Sequence, residues 1–269
     1  MEFEFKDIAE DDFHGVKSLV SLVATGPLAE LISLTDPICN QQNVGCVVTA
    51  EGGESGICAF GTVINIIQHK SNPGAAAVHA LLKEIVKKNS KSSKPISRMM
   101  SSADNVIGLL LKERLINFPP ELAPNIHEVL IGDVKWSASD EYEPDEGEKR
   151  EDYQFSHILL LSTYEIEAGR GASAGPVDES EAPVASVQPE GLAHKQKRKM
   201  DKASAKLARV YLHWEDEILV ERAGFSHTWQ NTGKPTVVRS GRKYQSFSIL
   251  YGLRWADYVD LVATLPKSH

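Results

Sequence analysis

Residues Leu115–Trp136, LINFPPELAPNIHEVLIGDVKW, set three prolines between an apolar run and a helical pattern. The run before them, Val106–Ile116, reads as a buried strand that ends at Ile116. Pro119 and Pro120 each fix φ and remove a backbone donor, so the chain turns stiffly there. Pro124 suits the first turn of a helix, where its missing N–H would have had no partner. Beyond it Ile126, Val129, Leu130 and Val134 recur at helical spacing and share one face. A buried strand turning directly into an amphipathic helix is an element of a layered α/β structure.

The rest of the chain reads the same way. Phe3 and Phe5 alternate with Glu2 and Glu4, the pattern of a strand. Asp11 and Asp12 precede Phe13, Val16, Leu19, Val20 and Val23, a helix with an acidic start. Pro27–Leu34 reads as a second short helix. Val44–Ala50 and Ile57–Ile67 read as strands joined by the hairpin loop AEGGESG. Gly74–Lys88 is a helix, Asp140–Asp152 an acidic loop, and Phe155–Ile166 a strand. Leu207–Trp214 is expected as a strand, Glu215–Arg222 as a short helix, Phe225–Gln230 and Tyr244–Leu253 as strands, and Trp255–Thr264 as a closing helix. Between them, residues 168–205 turn to Gly, Ala, Ser, Pro and Glu, then Lys. Such a stretch buries too little apolar surface to offset its ordering entropy, so disorder is expected. The class is α/β or α+β around a central sheet, as a single domain over residues 1–269.

A net charge of −8 disfavours direct DNA binding and favours basic partners. Three cysteines with no C-x-x-C pair point to a reducing compartment without a disulfide framework. Met1–Asp7 has the wrong pattern for a signal peptide. No apolar run approaches the ~18–20 residues of a membrane span, so no membrane partner is expected.

Catalytic motifs fail on inspection. Gly171-Ala-Ser-Ala-Gly175 has the G-x-S-x-G spacing but is followed by Pro176 and a Glu/Pro/Ser tract, not by the helix of a nucleophile elbow. Gly233-Lys234 lacks the upstream glycine of a phosphate loop and has Pro235 where Ser or Thr belongs. The nine histidines show no metal-ligand spacing. No catalytic, cofactor-binding or metal-binding residue, and no cofactor, is expected. Two other clusters are candidates. Lys195, Lys197, Arg198, Lys199 and Lys202 form a basic run of the kind read by nuclear import receptors. Asp140, Glu141, Glu143, Asp145, Glu146 and Glu148 form an acidic strip suited to docking a basic partner.

In order and spacing, FEFKDIAEDDFHGVKSLV, NQQNVGCVV, FGTVINI, LINFPPELAPNIHEVL and GDVKWSASDEYEP resemble the BCCIP family of eukaryotes. The resemblance continues through YQFSHILLLSTYEI, YLHWEDEILVERAGFSHTW and YQSFSILYGLRW. Asn117, Pro119, Pro120, Glu121 and Trp136 are its signature positions. Family members usually carry an acidic N-terminal extension, whereas this sequence starts almost at its first strand. The resemblance implies a mostly antiparallel mixed sheet similar to the GNAT acyltransferase fold, without acyltransferase chemistry. In GNAT enzymes a Gly-rich loop aims amides at the pyrophosphate of acetyl-CoA. The loop taken for comparison, Gln68–Gly74, has Ser71 and Pro73 at the glycine positions. The resemblance further implies a nuclear, shuttling protein that chaperones a basic large-subunit ribosomal protein and supports nuclear export of client cargo. In animals it also implies contacts with a repair protein and a cyclin-dependent kinase inhibitor. A divergent acyltransferase is the rival class.

Overall fold

The computed structural model describes residues 2–50, 56–168, 209–232 and 236–266. Along the described residues the strands are β1 (Phe3–Asp7), β2 (Cys46–Ala50), β3 (Ala59–Asn65), β4 (Val106–Arg114), β5 (Phe155–Glu167), β6 (Val210–Tyr211), β7 (Phe225–Gln230), β8 (Val237–Arg239) and β9 (Arg242–Arg254). The helices are α1 (Phe13–Val23), α2 (Thr35–Asn40), α3 (Pro73–Lys87), α4 (Ser93–Ser101), α5 (Ala123–Ser137), α6 (Trp214–Glu221) and α7 (Trp255–Val262). The sheet order is β1-β2-β3-β4-β5-β9-β7, with β6 on β5 and β8 on β9. Every pair is antiparallel except β4 with β5. The protein is thus an α/β single domain on a mixed, mostly antiparallel sheet.

Period-two alternation builds two cores. Phe60, Ile64, Leu109, Leu111, Leu159, Leu161 and Leu250 face α1 to α4 and the 3-10 helix Gly26–Leu34. Val63, Leu110, Ile158, Leu160, Ile249 and Tyr251 face α5, α6 and α7. Both faces of the central strands are covered, so β3 and β4 are buried almost throughout and read as continuous apolar runs. Gly61 on β3 lets α5 come close: a Cβ there would sit 2.5 Å from Ile126 Cγ2.

Several boundaries differ from the sequence reading. β4 ends at Arg114, and Ile116 lies fully exposed in the turn. Leu207–Trp214 yields only the two-residue β6, because Trp214 already begins α6; residues 207 and 208 lie outside the described set. Pro27–Leu34 is a 3-10 helix with Leu28, Leu31 and Leu34 buried at its three-residue repeat. Helix α4 has no counterpart in the sequence reading: its buried Ile96 and Met99 stand among Ser93, Lys94, Ser97 and Arg98. The expected hairpin of β2 and β3 is present, and its loop residues 51–55 are outside the described set, as are residues 169–205 of the expected disordered insert 168–205.

Candidate functional site

β4 and β5 are paired only from Val106 to Leu110 and from Phe155 to Leu160. Past that point β4 stays on β3 as far as Arg114, while β5 stays on β9 as far as Glu167. The parallel pair therefore forks at its carboxyl end. In open α/β sheets that crevice is the ordinary place for a ligand.

Here the chain fills it with its own segment. β6 pairs with β5 at Tyr164↔Tyr211 and Glu165↔Val210, and the Leu212 N–H donates to the Thr163 carbonyl at 3.0 Å. Since β9 holds the other edge of β5, β6 lies inside the fork. The indole N–H of Trp214 then donates to the Pro120 carbonyl at 3.1 Å, fastening this strap to the proline turn.

At the fork six charged side chains meet. Lys112, Glu113 and Arg114 come from β4; His213, Glu215 and Asp216 come from the strap. Lys112 Nζ lies 2.9 Å from Glu215 Oε1 and 3.0 Å from Asp216 Oδ1. Arg114 grips Glu215 with two bonds, Nη1 to Oε1 at 2.7 Å and Nη2 to Oε2 at 3.0 Å. His213 Nε2 lies 2.8 Å from Glu113 Oε1 and its Nδ1 3.7 Å from Asp216 Oδ2. Tyr251 OH donates to Asp216 Oδ1 at 3.0 Å. Lys112 is 5% exposed and the two strap carboxylates 0%. Burial alone would push the carboxyl pKa values up, but Lys112 with Arg114 or His213 holds both well below their ordinary values. Burial and Lys112, whose Nζ lies 3.4 Å from His213 Nδ1, press the His213 pKa down, and the nearby Asp216 and Glu113 carboxylates outweigh them and leave it raised. Below the cluster, His127 Nδ1 meets Tyr258 OH at 2.7 Å, and burial drops the His127 pKa to about 4, which keeps it neutral.

The loop Gln68–Gly74 is not the one that borders this fork. It follows antiparallel β3 and enters α3, where the Gly74 amide is already bonded to Asn72 Oδ1 and Ser33 Oγ, each at 2.8 Å. The fork opens instead beside Leu115–Leu122, between β4 and α5. There Pro119, Pro120 and Pro124 lack three of the amides an anion would use. Of the signature positions, Asn117, Pro119, Pro120 and Glu121 shape this turn, and the neighbouring Phe118 is buried edge-on against Phe3.

A second site lies at the other end of α5. A cavity of about 360 Å³ is bounded by Asp133 and Trp136 of α5, by Tyr142, Glu143, Asp145 and Glu148 of the acidic loop, by Asp7 at the end of β1, and by Asn40, Gln42 and Asn43. Trp136 is 47% exposed and its ring centroid is 4.9 Å from that of Tyr142. Tyr142 OH donates to Glu148 at 2.8 Å, which fixes the inner wall. Asp133 accepts from the Gly45 N–H at 3.1 Å; burial outweighs that bond and pushes its pKa up to about 6, with Asp7 adding to the rise. Arg150 orders the loop from behind, donating to the carbonyls of Tyr142 and Asp140 and to Asp140 Oδ1.

Of the six acidic residues singled out from sequence, Glu143, Asp145 and Glu148 converge on this cavity. Asp140 pairs with Arg150 instead, and Glu141 and Glu146 stand exposed on the loop. Asp7 and Asp133 complete the site and carried no sequence signal, being distant from the loop along the chain. The basic run Lys195, Lys197, Arg198, Lys199 and Lys202 lies outside the described residues. Among the described residues no His/Cys/Asp/Glu group is arranged to hold a metal, and no helix is long and apolar enough to cross a membrane.

Fold and site define an α/β single-domain protein whose parallel-strand crevice holds its own chain and whose surface cavity is acidic. A family model described as BCCIP matches residues 1–219. The chain is 31% identical over 227 residues to protein bcp1 of Aspergillus fumigatus, covering 83% of this chain and 68% of that protein. It is 28% identical over 166 residues to the protein BCCIP homolog of Arabidopsis thaliana, covering 61% and 50%. Its fold is similar to the crystal structure of BCP1 from Saccharomyces cerevisiae, with a TM-score of 0.59, 18% identity, and coverage of 100% of this chain and 89% of that one. The chain belongs to the BCCIP family.

Proposed function

We propose that this protein is a non-catalytic chaperone for a basic large-subunit ribosomal protein, with a related role in nuclear export of client proteins. The acidic cavity carries the reading. Asp7, Asp133, Glu143, Asp145 and Glu148 surround an exposed indole. Carboxylates attract a lysine or arginine side chain, and the Trp136 face adds cation–π attraction. A basic ribosomal protein held there is kept from premature contact with nucleic acid.

The filled fork favours binding over catalysis. In such sheets the fork between parallel strands is the ordinary place for a ligand. β6 and the Lys112–Glu215–Arg114 pairs stand in it here.

Neutralising the cavity with Asp133→Asn, Glu143→Gln, Asp145→Asn and Glu148→Gln tests the chaperone reading. Exposed ion pairs contribute about 0.2–1 kcal/mol each, so four together weaken binding about tenfold or more at low salt. Titration of a purified basic large-subunit ribosomal protein across a salt series gives the measurement. Equal affinity for wild type and variant at every salt concentration overturns the reading. A repair protein or a kinase inhibitor that co-purifies in place of a ribosomal protein directs it to a scaffold instead.

For nuclear entry, the run Lys195 to Lys202 is the proposed signal. Lys197→Ala, Arg198→Ala and Lys199→Ala together shift a fluorescently tagged protein toward the cytoplasm. An unchanged nuclear fraction in quantitative imaging removes that assignment.

A further inference from the structure

Charge is spread unevenly over this acidic chain. Residues 83–98 carry Lys83, Lys87, Lys88, Lys91, Lys94 and Arg98 against Glu84 alone, a net of +5 inside a chain of net −8. All seven side chains are exposed. The fold gathers them at one corner. Helix α3 ends at Lys87 and α4 starts at Ser93, and the turn between them has Asn89 at a φ of +49°. Ser93 Oγ donates to the Ile85 carbonyl at 3.0 Å, and Ser92 Oγ donates to the Ser226 carbonyl of β7 at 2.8 Å. The corner is thereby fastened to α3 and to the sheet. Leu82, Ile85, Ile96 and Met99 take the buried faces of the two helices, which leaves the cations outward.

The helices themselves do not call for all of this charge. Lys87 and Lys88 suit the negative end of the α3 dipole, and Lys88 is paired with Glu84 at 2.6 Å. Lys94, however, sits in the first turn of α4, at the positive end of that helix, where a cation is unfavourable. Lys83 with Lys87, and Lys94 with Arg98, are like charges four residues apart on a helix, which is also destabilising. An anion laid across the corner removes that repulsion.

We infer that this corner is a binding surface for the backbone of single-stranded RNA. The surface is charged without being apolar: among residues 68–114 no large apolar side chain is exposed. A docked acidic protein needs an apolar anchor near the centre of its site, and a membrane surface needs apolar side chains to insert. Phosphates need only cations, because counterion release supplies the affinity. Each helix has one face buried in the core, so neither is free to enter a duplex groove. A stiff duplex follows a corner poorly, whereas a single strand bends round it. Asn89 and Ser97 stand exposed among the cations. Both side chains can donate and accept, as a ribose 2′-OH requires, and that hydroxyl is what separates RNA from DNA. The acidic cavity lies against α5, on the opposite face of the sheet from α3 and α4. Its repulsion is screened over that separation, since exposed charges act over about 8–10 Å at ordinary salt.

Fluorescence anisotropy with a labelled, unstructured RNA of about 20 nucleotides, at salt from about 50 to 200 mM, tests this. For the wild type, log affinity falls against log salt with a slope near about −3, the sum of four or five phosphates at about −0.7 each. Lys83→Ala, Lys87→Ala, Lys94→Ala and Arg98→Ala together flatten that slope by about 2–3 and weaken binding roughly a hundredfold at the lowest salt. A DNA strand of the same sequence binds about twofold to tenfold less tightly, the worth of one hydrogen bond. The variant Lys197→Ala, Arg198→Ala and Lys199→Ala keeps most of the wild-type affinity. So does the variant with the acidic cavity neutralised, which keeps this surface separate from the chaperone site. Absence of salt-dependent binding by the wild type overturns the proposal, as does wild-type affinity in the four-residue corner variant. Equal affinity for the DNA strand overturns the assignment to RNA. Should the corner variant fail to fold, cross-linking of the wild type to a thiouridine-labelled strand decides. Adducts mapped by mass spectrometry to residues 83–98 support the proposal, and adducts confined to the run Lys195 to Lys202 overturn it.

Discussion

Lys112→Met lowers the unfolding free energy by about 3–5 kcal/mol, the usual penalty for removing one partner of a buried ion pair. Met nearly matches the lysine stem in volume, so little packing is lost. What changes is the charge. Glu215 keeps Arg114, but buried Asp216 loses the ammonium 3.0 Å away and is left with the Tyr251 hydroxyl and the more distant His213. Adding Asp216→Asn removes the carboxylate that has lost its ammonium and leaves an oxygen for Tyr251. The double variant therefore recovers more than half of the loss, and a double-mutant cycle by chemical denaturation returns a large coupling between the two sites. Additive losses would show that the Lys112–Asp216 pair is not what holds the cluster. The wild type carries a matching acid limb. The carboxyl pKa values of Glu215 and Asp216 are depressed in the folded chain. Their contribution is present above the ordinary carboxylate range and is lost as pH falls through the folded values.

Much of the scaffold was legible because local patterns agreed with the packing they meet. Spacing puts Ile126, Val129, Leu130 and Val134 on one face of α5; Ile126, Leu130 and Val134 are buried and Val129 is partly buried against the same core. The alternation at Phe3 and Phe5 gave β1, and the prolines after β4 gave the turn. The site was less legible, because its members meet only through sheet register. Lys112 follows Leu110 on the same face of β4, and a charge directly after the apolar VIGLLL is the available signal for a buried partner. His213 falls in the expected strand Leu207–Trp214, and Glu215 and Asp216 open the expected short helix Glu215–Arg222, where a carboxylate suits the N-terminus whatever it packs against. Only the parting of β4 from β5 brings the two groups together. The fork itself is invisible to periodicity. Without it the loop Gln68–Gly74, which follows an equally apolar strand, is the natural one to compare with a phosphate-binding turn. The acidic loop shows the same limit. Its charges were plain, but which of them face a cavity depends on Asp7 and Asp133, contributed by β1 and α5.

Trp136→Ala weakens binding of the basic partner by about 2 kcal/mol or more, roughly thirtyfold, while leaving the unfolding midpoint nearly unchanged. The two halves of that expectation have separate causes. The indole is 47% exposed and packs on Tyr142 rather than in either core, so truncation opens no internal void. In the complex the same ring would be desolvated against the stem and charge of a lysine or arginine, where aromatic anchors contribute most. Its position decides the magnitude. The ring stands among Asp133, Glu143, Asp145 and Glu148, so the cation it contacts is also held by carboxylates and excluded from water. Trp136→Phe keeps a π face and retains most of the affinity, whereas Trp136→Leu keeps apolar area without the quadrupole and does not. Calorimetric titration of the three variants separates the two contributions. If Leu performs as well as Phe, the contact is hydrophobic and the cavity accepts an apolar side chain. If Ala performs as well as wild type, the partner docks elsewhere on the acidic loop.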